Sequence, residues 1–335
     1  MRETLRLAFL TRHGDVRSGW RLLLFLLLTT VAVTGLVGGS GMLVGRVPVV
    51  GDVLALLAVL LASWILTRFI NKKPLSAIGL WVHPRTGREL GTGILVGFLM
   101  MSVIFIVMLA AGYVDITWRA LAWENVLVAM LLSLLVFLPA AAFEELLFRG
   151  YAFQTLAQGI TMLPAILVMS ALFGAAHLQN PHSTLLSTAN VVLAGIWLSL
   201  AYLKTRGLWL PFGLHFSWNF TQTTVYGFPT SGLTMADRQI WSTVENGPDW
   251  ITGGPFGPEG GILATLVLLA GTWYVVKSST LNAPEGIVTL DSVEDLLPSV
   301  AASDKQAAPL PPVAVPEKKA TPLPPAATPD REVTP

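Results

Sequence analysis

Residues 126–150 read VLVAMLLSLLVFLPAAAFEELLFRG. No charge occurs from Val126 to Ala142, and then Glu144, Glu145 and Arg149 follow in close succession. With the residues before it, such a run is long enough to cross a bilayer as a helix. Hydrocarbon tolerates only a backbone whose own polar groups bond one another. Working outward, apolar stretches also fall at about 22–43, 48–69, 91–113, 161–178, 186–203, 208–226 and 261–277, and this one occupies 123–143. The expected fold class is all-α: a polytopic membrane helix bundle with about eight transmembrane helices.

Composition agrees. Of 335 residues, 53% are hydrophobic and 12% charged, and the mean hydropathy is +0.65. A soluble domain carries about 25% charged residues, so an ordinary soluble enzyme is excluded. A net charge of +1 with no long basic run gives no reason to expect nucleic acid. The absence of cysteine removes disulfides, thiolate ligands and a cysteine nucleophile. Any metal must be held by His, Asp or Glu.

The basic residues set the topology. With the N-terminus inside, only Arg46, Arg119 and Arg238 of the 21 Lys and Arg residues fall on outer segments. Short cytoplasmic loops retain such residues, so both termini are predicted cytoplasmic. A prokaryotic plasma membrane is the expected location. The run Leu22–Leu28 has the outline of a signal peptide, but the apolar stretch continues past Val37. Residues 1–281 form the expected transmembrane domain. Residues 282–335, rich in Pro and Ala towards the end, form an expected disordered cytoplasmic tail. The outer loop Gly227–Gly260 carries Asp237, Glu245, Asp249 and Glu259 and is long enough to cover a site.

Ionisable groups within a span are costly unless they pair or face water, and here they concentrate in three segments. Glu145 and Arg149 are four apart and share a helical face. Arg149 then holds one carboxylate ionised, which leaves the other free to accept a proton from water. Phe173 and His177 repeat the spacing, as do His215 and Asn219. Each pair alone has a plainer reading, as an interfacial charge cluster, a packing histidine or an interhelical hydrogen bond. Together Glu144, Glu145, His177, His215 and Asn219 can line one polar cavity. His and Glu are the donors of a catalytic zinc site. The same groups also suit a metal-free site, in which a glutamate activates water and His and Asn stabilise an oxyanion. Both stay open.

Glu-Glu-x-x-x-Arg, Phe-x-x-x-His and His-x-x-x-Asn on separate spans resemble the CPBP family of intramembrane proteases. That family includes the CAAX prenyl endopeptidases and the bacteriocin-processing or abortive infection proteins. The resemblance covers about 121–226 and all three parts are complete. It implies an intramembrane endopeptidase with Glu144 and Glu145 as catalytic carboxylates and Arg149 positioning them. His177, His215 and Asn219 would bind a metal or stabilise the oxyanion. If a metal is used, Glu145, His177 and His215 are the implied ligands and zinc the implied ion. The implied partner is a membrane-associated peptide or protein. Two rival readings use the same residues: a proton- or ion-coupled transporter, for which repeat symmetry is lacking, and a non-catalytic membrane scaffold.

With straight spans, Glu145 and His177 lie at different depths. A fourth helix that runs on towards Gln158 before turning brings them level, and such a helix is predicted. His13 and His83 are expected to be solvated, Asp52 to sit among headgroups, and His182 to stay outside the site. Asn190 is a candidate for an interhelical hydrogen bond. Gly93 and Gly97, four apart on the third span, are a close-packing signal.

Overall fold

The computed structural model describes residues 8–290 apart from 12–13, 46, 119–122, 236–238 and 284–285. Arg46, Arg119, Arg238, Asp237, His13 and the tail beyond 290 therefore lie outside the described residues. Among the described residues, nine α-helices of ten residues or more carry the fold: α1 Ser18–Val44, α2 Pro48–Ile65, α3 Thr86–Ala110, α4 Trp123–Arg149, α5 Tyr151–Ile160, α6 Met162–Ala176, α7 Leu185–Thr205, α8 Trp209–Phe220 and α9 Ile262–Lys277. Among the described residues, five segments are long and apolar enough to cross a membrane: Ser18–Leu43, Val49–Ile70, Thr86–Ala110, Trp123–Ile160 and Leu185–Thr205. Met162–Ala176 and Ile262–Lys277 are shorter apolar helices. The link between α3 and α4 and the loop between α8 and α9 each add one strand to a small sheet that hydropathy does not reveal. Its strands, β1 Val114–Trp118 and β2 Trp241–Glu245, pair antiparallel with Val114 opposite Glu245.

Local chemistry sets several boundaries. Pro48 opens α2, where a missing N–H costs nothing. Thr184 and Ser187 start α7 with reciprocal bonds: the Thr184 hydroxyl accepts from the Ser187 N–H at 3.1 Å, and the Ser187 hydroxyl from the Thr184 N–H at 2.8 Å. α4 and α5 form one long arm broken at Gly150. A Cβ there would stand 2.3 Å from the Leu146 carbonyl oxygen, so the break requires glycine. The arm turns at Thr161, which Glu145 precedes and His177 follows by 16 residues. The expected long fourth helix is thus present, with one break.

α3 and α8 cross at close quarters. Cβ atoms on Gly93 and Gly97 would lie 2.5 and 2.6 Å from the carbonyl oxygens of Leu210 and Leu214. Small residues let two backbones meet where lipid supplies no hydrophobic drive. The Ser217 hydroxyl donates across this contact to the Ile94 carbonyl at 2.6 Å. The contact fixes α8, and with it the rotation of His215.

Contacts with the bundle continue past the expected boundary at 281–282. Thr289 and Leu290 are buried, the Leu290 N–H donates to Gln154 at 3.1 Å, and Lys73 donates to the Thr289 carbonyl at 3.3 Å. A tail read from Pro and Ala content cannot show these individual anchors.

Candidate active site

The last turn of α4 supplies two carboxylates with different surroundings. Glu145 is buried, and its Oε1 accepts from Arg149 Nη1 at 3.0 Å and from His215 Nδ1 at 2.8 Å. Glu144 has 27% of its side chain exposed and faces a cavity of ≈ 400 Å³. Its Oε2 lies 3.8 Å from His215 Nε2 and has no hydrogen-bond partner among the described residues. One carboxylate is therefore locked and its neighbour is free.

Arg149 is also buried. Its Nη2 donates to the Gly195 carbonyl of α7 at 3.2 Å, and its guanidinium lies 4.5 Å from the Phe173 ring centroid. A buried cation without partners would be prohibitive, and here a carboxylate, a carbonyl and an aromatic face share it. Phe173 is the hub of the site. Its ring lies 4.9 Å from that of His177 and 6.1 Å, edge on, from that of His215. The Phe-x-x-x-His spacing thus places one aromatic ring against the guanidinium and near both imidazoles.

His177 Nδ1 bonds the Phe173 carbonyl at 2.8 Å. A carbonyl only accepts, so Nδ1 carries the hydrogen and the neutral ring presents a bare Nε2. His215 follows the same logic, with Nδ1 donating to Glu145. His177, His215, Asn219 and Glu144 all line the cavity. Every residue selected from sequence is thereby brought together, Glu145 and Arg149 lying behind the wall that the others form.

The cavity has further walls that motif spacing could not supply. The loop 227–260 reaches it through Ser231 and Glu259. Glu259 accepts from Trp218 Nε1 at 3.1 Å and from the Ser231 backbone and hydroxyl at 2.7 Å each. Trp218 adjoins Asn219, so the loop is tied to α8 beside the amide. Asn190 also lines the cavity, but its amide is occupied: Nδ2 donates to the carbonyls of Glu259 and Gly261 at 2.8 Å and Oδ1 accepts from Thr265 at 2.6 Å. Asp52, expected among headgroups because it opens a span, faces the cavity instead. His182 is not among the lining residues.

His83 departs from expectation as well. Its ring stacks on Trp81 at 4.1 Å, and Nε2 lies 3.4 Å from Glu89 Oε1, with both side chains almost buried. Burial, and then the charge of Arg85, hold its imidazole below the ordinary range. Arg85 and Arg88 made the stretch look solvated. The later Glu89 and the nearby Trp81 decide otherwise.

Among the described residues, no group of three or more His, Asp and Glu side chains converges as a metal-ligand set. Glu145, the expected carboxylate ligand, already has Oε1 against a guanidinium. The chemistry below is therefore derived from what the side chains themselves do.

Fold and site together define a membrane-embedded helical protein whose buried acid–imidazole centre opens on a cavity. Residues 123–221 match the family model described as type II CAAX prenyl endopeptidase Rce1-like. The match runs from the first residue of α4 to the residue after α8 and contains all six selected residues. No curated protein and no solved structure matches the chain.

Proposed function

We propose that the protein is an intramembrane endopeptidase in which Glu144 activates the attacking water. The supporting observation is the asymmetry of the glutamates: Glu145 is held by Arg149 and His215, while Glu144 Oε2 is unpartnered at the cavity. Water donates to Glu144 and to the bare Nε2 of His177. As its oxygen bonds to the peptide carbon, its proton passes to Glu144. The carbonyl oxygen, now an oxyanion, accepts from the Asn219 amide. The C–N bond then breaks, and Glu144 returns the proton to the leaving amine. Glu145 keeps His215 oriented, and Arg149 keeps Glu145 in place.

The substrate is a membrane-associated peptide or protein. Prenylated CAAX chains are the first class to test, since the matched family is described by them. The charge distribution favours a prokaryotic plasma membrane with both termini cytoplasmic. The test uses purified full-length protein in proteoliposomes with an internally quenched farnesylated CAAX peptide. Wild type should cleave it, and Glu144→Gln and His215→Ala should each lose about 100-fold or more in rate. Undiminished cleavage by both variants, with their fold intact, rejects the assignment.

A further inference from the structure

A second cavity, of ≈ 410 Å³, shares no lining residue with the first. It sits at the other end of the bundle: Asp52 near the start of α2 lines the first cavity, and Asn71, past the end of α2, lines the second. Arg21 enters it from the first full turn of α1, Lys72 and Lys73 from the link after α2, and Gln158 from the end of α5. The segment after α9 closes it at Leu290.

Cations outnumber carboxylates on the described wall of this cavity. Among the described residues, none of Arg21, Lys72 and Lys73 lies in an ion pair, and Asp15 is the one carboxylate on the wall. Arg21 donates to Gln158 Oε1. Its Nε and the Gln158 Nε2 are buried donors without an acceptor among the described residues. Buried donors left unmet cost free energy, and three cations around one small cavity repel one another. An oxyanion with several acceptor atoms meets both demands, and a guanidinium fork suits phosphate. The depth is that of lipid headgroups, at the ends of two spanning helices and beside Trp20.

We infer that this cavity binds a phosphate group, supplied by an anionic phospholipid headgroup or by free phosphate. Lys72 and Lys73 set its affinity, Arg21 and Gln158 its orientation. Lys72 has φ +54, a left-handed conformation that asparagine accepts readily, and it is exposed. Lys72→Asn therefore removes charge without straining the fold.

The experiment measures thermal unfolding and native mass spectra of delipidated full-length protein in detergent. The probes are phosphatidylglycerol, phosphatidylcholine and inorganic phosphate. Phosphatidylglycerol should raise Tm and remain bound, and phosphatidylcholine should do neither. In Lys72→Asn/Lys73→Gln the affinity should fall about tenfold or more, with Lys72→Asn alone giving part of that loss. If inorganic phosphate matches the lipid, the source is a free anion; if only the lipid acts, it is a headgroup. No anion-dependent shift in wild type, or an equal shift in the double variant, overturns the inference.

Discussion

Glu144 and Glu145 are adjacent in sequence, yet the structure gives them opposite tasks. Glu144→Gln should abolish cleavage and leave Tm within a few degrees, because Oε2 of this carboxylate bonds nothing. Glu145→Gln should also abolish cleavage but lower stability by about 3 kcal/mol, since it leaves Arg149 as a buried cation without its counter-charge. Equal stability of the two variants by thermal unfolding would contradict the asymmetry. The spacing Glu-Glu-x-x-x-Arg told that one carboxylate is held, but not which faces the cavity, because that depends on where α8 brings His215. The same limit explains Asp52 and His83. A residue at a span end is read as interfacial from its neighbours in sequence, and both are partly covered by neighbours in space. Outside the spans, burial and then Asp249 raise the Glu245 carboxyl to about 7. A raised carboxyl favours folding while protonated, so its contribution is present below the unfolded value near 4.5 and is lost as pH rises through about 7. Tm measured from pH 5 to 8 should therefore fall more for wild type than for Glu245→Gln, and parallel curves would remove Glu245 from the account.

Helices were the most legible elements, since each apolar run in hydrocarbon must close its own hydrogen bonds. The paired strands β1 and β2 were not, because two five-residue strands separated by over a hundred residues leave no periodic signal. Between these extremes lies the α3–α8 contact, announced by Gly93 and Gly97 without naming the partner. Gly97→Leu should push α8 away from Ile94, costing about 1–3 kcal/mol and turning His215 from Glu145. Cleavage should fall further than the loss of folded protein explains, measured as rate per folded molecule. A rate that merely tracks the folded fraction would separate this contact from the site. The loop 227–260 was legible as something long enough to cover a site, but its attachment was not, since Glu259 finds Trp218 only through the fold. Glu259→Gln keeps shape and removes the charge from three hydrogen bonds, each about 1.5–3 kcal/mol when charged. It should speed proteolytic nicking of this loop several-fold while leaving α1–α7 protected.

The whole bundle rests on an alternation that the sequence states and the helix order carries. Glu145 on the arm leading into the Thr161 turn, His177 on the arm leaving it and His215 on α8 meet only if these helices run antiparallel through one layer. Among the described residues, five segments satisfy the length for a span, and the eight crossings predicted from the positive charges need α6, α8 and α9 as well. The chain has no cysteine, which makes the test direct. Val82 and Trp250, 77% and 62% exposed, lie respectively before α3 and in the loop ahead of α9. If α3 to α8 cross as proposed, these positions face opposite compartments. In intact cells a membrane-impermeant maleimide should label Trp250→Cys and leave Val82→Cys untouched until the membrane is opened. Labelling of both from outside would mean that one of the shorter helices does not cross. The charge count would then have to be redrawn around the segment that failed, beginning with α6, whose 15 residues give about 22 Å of rise against a hydrocarbon core of about 30 Å.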